Sequence, residues 1–106
     1  MDVELLVVPD CANELSAATQ LRAALEDIGL PHTHVRATVI NTRDDAEQRG
    51  FTGSPTILAN GVDPFAQPGR PPALACRIYP TATGPAGVPP IRELRRALKR
   101  AAAECG

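Results

Sequence analysis

Apolar and polar residues along this chain switch between two periods. Val3 to Val8 is a short apolar run, which suits a central strand covered on both faces. Leu15, Ala18, Leu21, Leu25 and Ile28 then recur every three or four residues and predict a helix with one apolar face. Asp10 or Asn13 is placed to cap it. Gly29 suits the left-handed position past its end, with Leu30 folding back onto Leu25 as in a Schellman cap. Thr33 to Ile40 alternates, with Val35, Ala37 and Val39 facing one way and His34, Arg36 and Thr38 the other. That pattern predicts a half-exposed edge strand. A short helix follows, opened by Thr42 and Asp44-Asp45 and stopped by Gly50.

Thr56 to Ala59 reads as the next strand, and Asn60-Gly61 is a two-residue turn signal. A simple hairpin would return at once. Val62 to Ala75 instead holds four prolines and one glycine, and reads as an irregular insertion of the kind that often carries function. Cys76 to Tyr79 is the expected return strand, and Pro80 to Pro90 is a second Gly/Pro-rich loop. The last helix begins near Pro90 and carries Ile91, Leu94, Leu98 and Ala101 or Ala102. The predicted order βαβαββα gives an α/β fold: a four-stranded mixed sheet with helices on both faces. All 106 residues form one domain, with the Pro-rich insertion at about 62–75.

Composition narrows the function classes. Hydrophobic residues at 43% and charged residues at 22% place the chain among globular proteins. A net charge of −1 gives no global reason to bind nucleic acid. Arg92, Arg95, Arg96, Lys99 and Arg100 make the last helix basic, and a solvated face explains them better than an anionic partner does. The longest unbroken apolar stretch, Leu5 to Val8, is far too short to span a membrane. No signal peptide is apparent, so a cytoplasmic location is expected. No Gly-x-Gly-x-x-Gly or Walker loop appears, and no cofactor is expected. Cys11, Cys76 and Cys105 are spaced by 65 and 29 residues, which matches no zinc pattern, and their odd number argues for free thiols. His32 and His34 lack a third ligand and read as solvated, so no metal is expected either.

A cysteine where strand passes into helix, followed about 40 residues later by Gly53-Ser54-Pro55-Thr56 entering a strand, resembles the thioredoxin-like superfamily. Phe51-x-Gly53-Ser54-Pro55-Thr56, Gly61-x-Asp63-Pro64-Phe65 and Ala75-Cys76-Arg77-x-Tyr79 resemble, more narrowly, a small actinobacterial group, the DF family of (seleno)proteins. The resemblance implies a cysteine at a helix N-terminus with a cis-proline beside its sulfur. It also implies redox chemistry, since members carry selenocysteine, while some relatives are loosely labelled alkylmercury lyases. One departure is plain: Cys11-Ala12-Asn13-Glu14 holds a glutamate where a dithiol motif has its second cysteine.

Cys11 is therefore the expected nucleophile. Helix N–H groups and the helix dipole favour its thiolate, while the neighbouring Asp10 opposes it. Cys76 is either the thiol that resolves Cys11, if the insertion bends its strand toward the helix start, or a buried core cysteine. Asp10, Ser54, Pro55, Thr56 and Phe65 form the expected substrate-binding set, with Phe65 better suited to anchoring the insertion. Arg77 either favours a neighbouring thiolate or points to solvent, and Tyr79 is better read as a core residue than as a general acid. The expected function is thiol-dependent redox chemistry on a low-molecular-weight thiol or a protein disulfide. The alternatives are organomercurial cleavage or mercury binding, with Asp10 or Asp63 as proton donor, and a non-catalytic binding module.

Overall fold

In the computed structural model the described residues are 1–105, and the side chain of Cys105 lies outside the description. The elements are β1 (Val3–Val7), α1 (Glu14–Asp27), β2 (Val35–Val39), α2 (Arg43–Arg49), β3 (Thr56–Ala59), β4 (Tyr79–Thr81), β5 (Gly84–Ala86) and α3 (Ile91–Cys105). β1 is central in a three-stranded sheet ordered β2-β1-β3. It pairs in parallel with β2, Val3 opposite Val35, and antiparallel with β3, Leu5 opposite Ile57. All five β1 residues are buried, as a strand covered on both faces requires.

The two faces carry separate cores. Val3, Leu5 and Val7 pack with Leu21 and Leu25 of α1 and Leu94 and Leu98 of α3. Leu6 and Leu58 pack on the other side with Ala46 of α2, Ile40 and Phe51. The buried stripe of α1 is Ala17, Leu21, Ala24 and Leu25. Leu15 and Ala18, both expected in that stripe, are exposed, Leu15 by 79%, and Ala17 is buried in their place. The predicted end of α1 is present: Gly29 has φ +81°, and the Leu30 N–H reaches the Leu25 carbonyl at 2.8 Å. Thr42 caps α2, accepting from the Asp45 N–H at 3.1 Å, and Gly50 ends that helix with φ +62°. His32 and His34 precede β2 rather than sharing a strand face with it.

The four-stranded sheet expected from the sequence is not formed. β4 and β5 make a separate two-stranded ribbon, and the predicted return strand does not pair antiparallel with β3. Asn60 and Gly61 do turn the chain, both with positive φ, but the hairpin stops after one bridge, Ala59 to Val62. Two residues on, Pro64 has no N–H to extend a ladder. The Asp63 carboxylate takes the Phe65 N–H at 2.9 Å and draws the chain out of register with β3. The insertion then runs back to the other end of β3. There residues 73–77 lie parallel to 51–54, with Ala73 N–H to Phe51 carbonyl at 3.1 Å and Ser54 N–H to Ala75 carbonyl at 2.8 Å. Among the described residues, no helix is long and apolar enough to cross a membrane.

One carboxylate is buried in the sheet. Glu4 accepts from the Thr38 hydroxyl at 2.6 Å and from Arg49 of α2, with Arg36 at 3.6 Å. Burial pushes its carboxyl upward, but the two hydrogen bonds and the charges of Arg49 and Arg36 outweigh burial and hold it below the usual range. A carboxyl lowered by folding stabilises the native state above its unfolded value of about 4.3, and that contribution disappears as pH falls through the folded value. Glu4→Gln is therefore expected to melt lower than the parent protein at pH 7, by roughly 4–8 °C for each kcal/mol lost. The gap should narrow as pH falls toward about 3, and thermal melts at the two pH values check this.

Candidate thiol site

The carboxyl end of β1 continues through Val8 and an exposed turn at Asp10, where φ is +57°, to Cys11 and the start of α1. Cys11 is half-buried against the core beneath α1, and its thiol is free. Asn13 occupies the N-cap position but makes no capping hydrogen bond. Its side chain lies instead against Gly87, where a Cβ would come within 2.3 Å of Asn13 Nδ2. The segment leaving β5 thus passes over the helix start, close against the Asn13 amide.

Ser54 organises the site. It is fully buried, and its peptide bond to Pro55 is cis. Its hydroxyl accepts from the Val8 N–H at 3.0 Å and donates to Cys11 Sγ at 2.9 Å. A hydroxyl donor at that distance stabilises negative charge on sulfur. The Ser54 backbone faces the other way. Its N–H bonds the Ala75 carbonyl and its carbonyl accepts from the Arg77 N–H at 2.9 Å, which makes Cys76 its partner in a parallel bridge. One strand spacing, about 4.8 Å, therefore separates the Ser54 and Cys76 backbones. Cys76 lies at the Cys11 end of the sheet, not the far end where a simple hairpin would put it. It is exposed rather than a core cysteine, and it borders a cavity of about 450 Å3 with Thr52, Gln67 and Arg70.

The other expected site residues are structural in their contacts. Pro55 is buried, and its carbonyl accepts from the Tyr79 hydroxyl. The Thr56 hydroxyl donates to the Gly53 carbonyl at 2.6 Å and accepts from Arg77 at 3.1 Å. The Phe65 ring meets Tyr79 edge-on at 5.7 Å, and its carbonyl accepts from Arg77, which is the anchoring role. Asp10 is exposed on the turn beside Cys11.

Neither sequence expectation for Arg77, favouring a thiolate or pointing to solvent, matches its position. Its side chain is only 6% exposed, bonded to Asp63 at 2.6 Å and stacked over the Tyr79 ring at 4.6 Å. Its backbone crosses Gly53 closely: a Cβ there would stand 2.8 Å from Arg77 Cβ, and Gly53 has φ +152°. Glycine at 53 is thus required by both space and backbone conformation. No sequence signal links Arg77 to Asp63, because the pairing depends on the path of the insertion. The same holds for Thr52, Gln67 and Arg70 beside Cys76. Among the described residues, no group of three His, Cys, Asp or Glu side chains is placed to hold a metal ion.

Comparison of the chain with protein-family models, with curated proteins and with solved structures gives no match.

Tyr79 offers a direct check of the cluster beneath the site. Burial pushes its phenol above the usual value; Arg77 opposes this and Asp63 adds to it. A phenol raised by folding stabilises the native state fully below its unfolded value of about 10, and the contribution fades as pH rises past the folded one. Tyr79 is the single tyrosine and the chain has no tryptophan, so absorbance at about 295 nm reports it alone. The native protein is expected to show little phenolate at pH ~10.5, where the urea-unfolded chain is mostly ionised. Tyr79→Phe should lower stability to urea by about 1 kcal/mol through the lost bond to the Pro55 carbonyl.

Proposed function

We propose that this chain is a thiol-dependent redox protein in which Cys11 attacks and Cys76 is its partner thiol. One observation supports this above the others: a single buried residue, Ser54, bonds Cys11 Sγ through its hydroxyl and pairs with Cys76 through its backbone. In this reading Cys76, just past the insertion, takes the place of the second cysteine missing from the helix-start motif.

In this reading the Cys11 thiolate attacks one sulfur of a disulfide RS–SR′. The bond Cys11–SR forms and R′S⁻ leaves. The Cys76 thiolate then attacks the Cys11 sulfur, expelling RS⁻ and leaving a Cys11–Cys76 disulfide. An external thiol pool returns both to thiols, so the net reaction is reduction of one disulfide by that pool. A hydroperoxide is the alternative oxidant: Cys11 becomes the sulfenic acid as the alcohol leaves, and Cys76 condenses with it to release water. Ser54 serves each step by donating to whatever negative charge resides on the Cys11 sulfur. The substrate class is a low-molecular-weight thiol adduct or a protein disulfide. Organomercurial cleavage fits less well, because Asp63, one of its two candidate proton donors, is held by Arg77.

Iodoacetamide labelling at pH 7, read at each cysteine by mass spectrometry, tests the proposal. Cys11 is expected to react faster than a free cysteine, and Ser54→Ala to slow it roughly tenfold, the size of one hydrogen bond to a charged group. One equivalent of hydrogen peroxide should yield a linked Cys11–Cys76 peptide that Cys11→Ser abolishes. Ordinary reactivity at Cys11 with no linked peptide would sink the redox reading.

A further inference from the structure

Six of the ten arginines have a partner: Arg22 on the Pro31 carbonyl, Arg36 on Asp2, Arg43 on Glu47, Arg49 on Glu4, Arg77 on Asp63 and Arg95 on Asp27. Among the described residues, Arg70, Arg92, Arg96 and Arg100 make no hydrogen bond or ion pair through their side chains. Arg96 and Arg100 stand one turn apart on α3 and line a cavity of about 530 Å3 between that helix and the insertion. Its volume falls within the roughly 300–1,000 Å3 of small-molecule sites.

Much of the remaining lining is apolar. Phe65 and Tyr79 form one side and Ala97 and Ala101 another. Val62 and Ile78 also line it while 64% and 62% exposed, so apolar surface faces the opening uncovered. The charges are arranged unevenly. Glu93 and Glu104 also border the cavity, eleven residues apart on α3, about 16 Å along the axis. Arg96 and Arg100 lie between them, about 6 Å apart along the axis. Neither glutamate forms an ion pair with either arginine, although the spacings of three and four residues permit it. Arg77 borders the cavity too, but Asp63 neutralises it. The middle of the helix wall is thus positive and its two ends are negative.

We infer that this cavity binds an organic carboxylate with an apolar body. The carboxylate bridges Arg96 and Arg100, which present forked donors matched to its two oxygens. The body lies along Phe65, Tyr79 and Ala101 and covers Val62 and Ile78. The site is separate from Cys11 and does not depend on the redox reading. It adjoins the cavity that holds Cys76, and Gln67, Arg77, Ile78 and Pro80 border both.

Isothermal titration of the full chain with decanoate tests the inference, with acetate and decylamine as probes lacking the apolar body and the negative charge. Decanoate is expected to bind saturably at one site, and neither control at the same concentration. The double variant R96Q/R100Q should weaken decanoate by about tenfold or more, the size of a lost charge-assisted contact. Ala97→Phe should fill the cavity and abolish binding. R92Q/K99Q, on the same helix but away from the cavity, should stay within about twofold, since it leaves every contact intact. Circular dichroism confirms that each variant is folded, and if Ala97→Phe is not, R96Q/R100Q decides alone. No saturable decanoate binding, equal binding by decylamine, or R96Q/R100Q binding like the parent would overturn the assignment.

Discussion

The Arg77 guanidinium is a positive charge almost wholly withdrawn from water, and the insertion side of the molecule is arranged to satisfy it. Asp63 bonds it at 2.6 Å, Thr56 and the Phe65 carbonyl accept from it, and the Tyr79 ring lies beneath it. Removing a single partner from such a pair costs about 3–5 kcal/mol, because a bare buried charge remains. The insertion is therefore tied at both ends, at Asp63 where it begins and at Arg77 where it finishes. Between those points its prolines and its exposed residues meet few demands. Cys76 owes its position to this tie, since the residue next to it in the chain is the one that cannot leave.

Ser54 connects that tie to the thiol. Its hydroxyl belongs to the β1 side, bonded to the Val8 amide and the Cys11 sulfur, while its backbone belongs to the Arg77 side. The site thus sits at the carboxyl end of the central strand, where the neighbours diverge: β2 runs parallel on one side and β3 antiparallel on the other. Strand ends of this kind are common binding positions in α/β sheets, because the loops there leave the layer in different directions. Two close approaches frame this region, Gly87 against Asn13 and Gly53 against Arg77.

Much of this was legible in the sequence where local rules govern. The β1 run, the end of α1 at Gly29-Leu30, the Thr42 cap and the Asn60-Gly61 turn all follow from neighbouring residues, and the structure contains each. The order of the first five elements was legible as well. What failed was long-range. The return strand after the insertion was expected to complete a four-stranded sheet, but the capture of Asp63 by Arg77, 14 positions away, sends the insertion to the other end of β3 and leaves β4 and β5 as a separate ribbon. A carboxylate's partner at that distance leaves no period or motif to read. The α1 stripe was misread at Leu15 and Ala18 for a related reason: which face of a short helix is covered depends on where α3 packs, and the Asp27–Arg95 contact between the two helices spans 68 residues.

The ribbon made by β4 and β5 has a consequence for how copies of this protein meet. Its middle pair is Pro80 opposite Pro85. Opposed residues in an antiparallel ladder either bond each other or point their amides outward, and prolines can only occupy the second kind of pair. Both outer edges of the ribbon therefore lack an N–H where an incoming strand would seek one. Ile78, 62% exposed, stands just beside this edge, and apolar side chains next to a free strand edge are the usual start of uncontrolled assembly. A second molecule arriving there finds grease without a template. It can touch the surface but cannot extend the sheet, so the ribbon leaves apolar surface open while discouraging its own polymerisation.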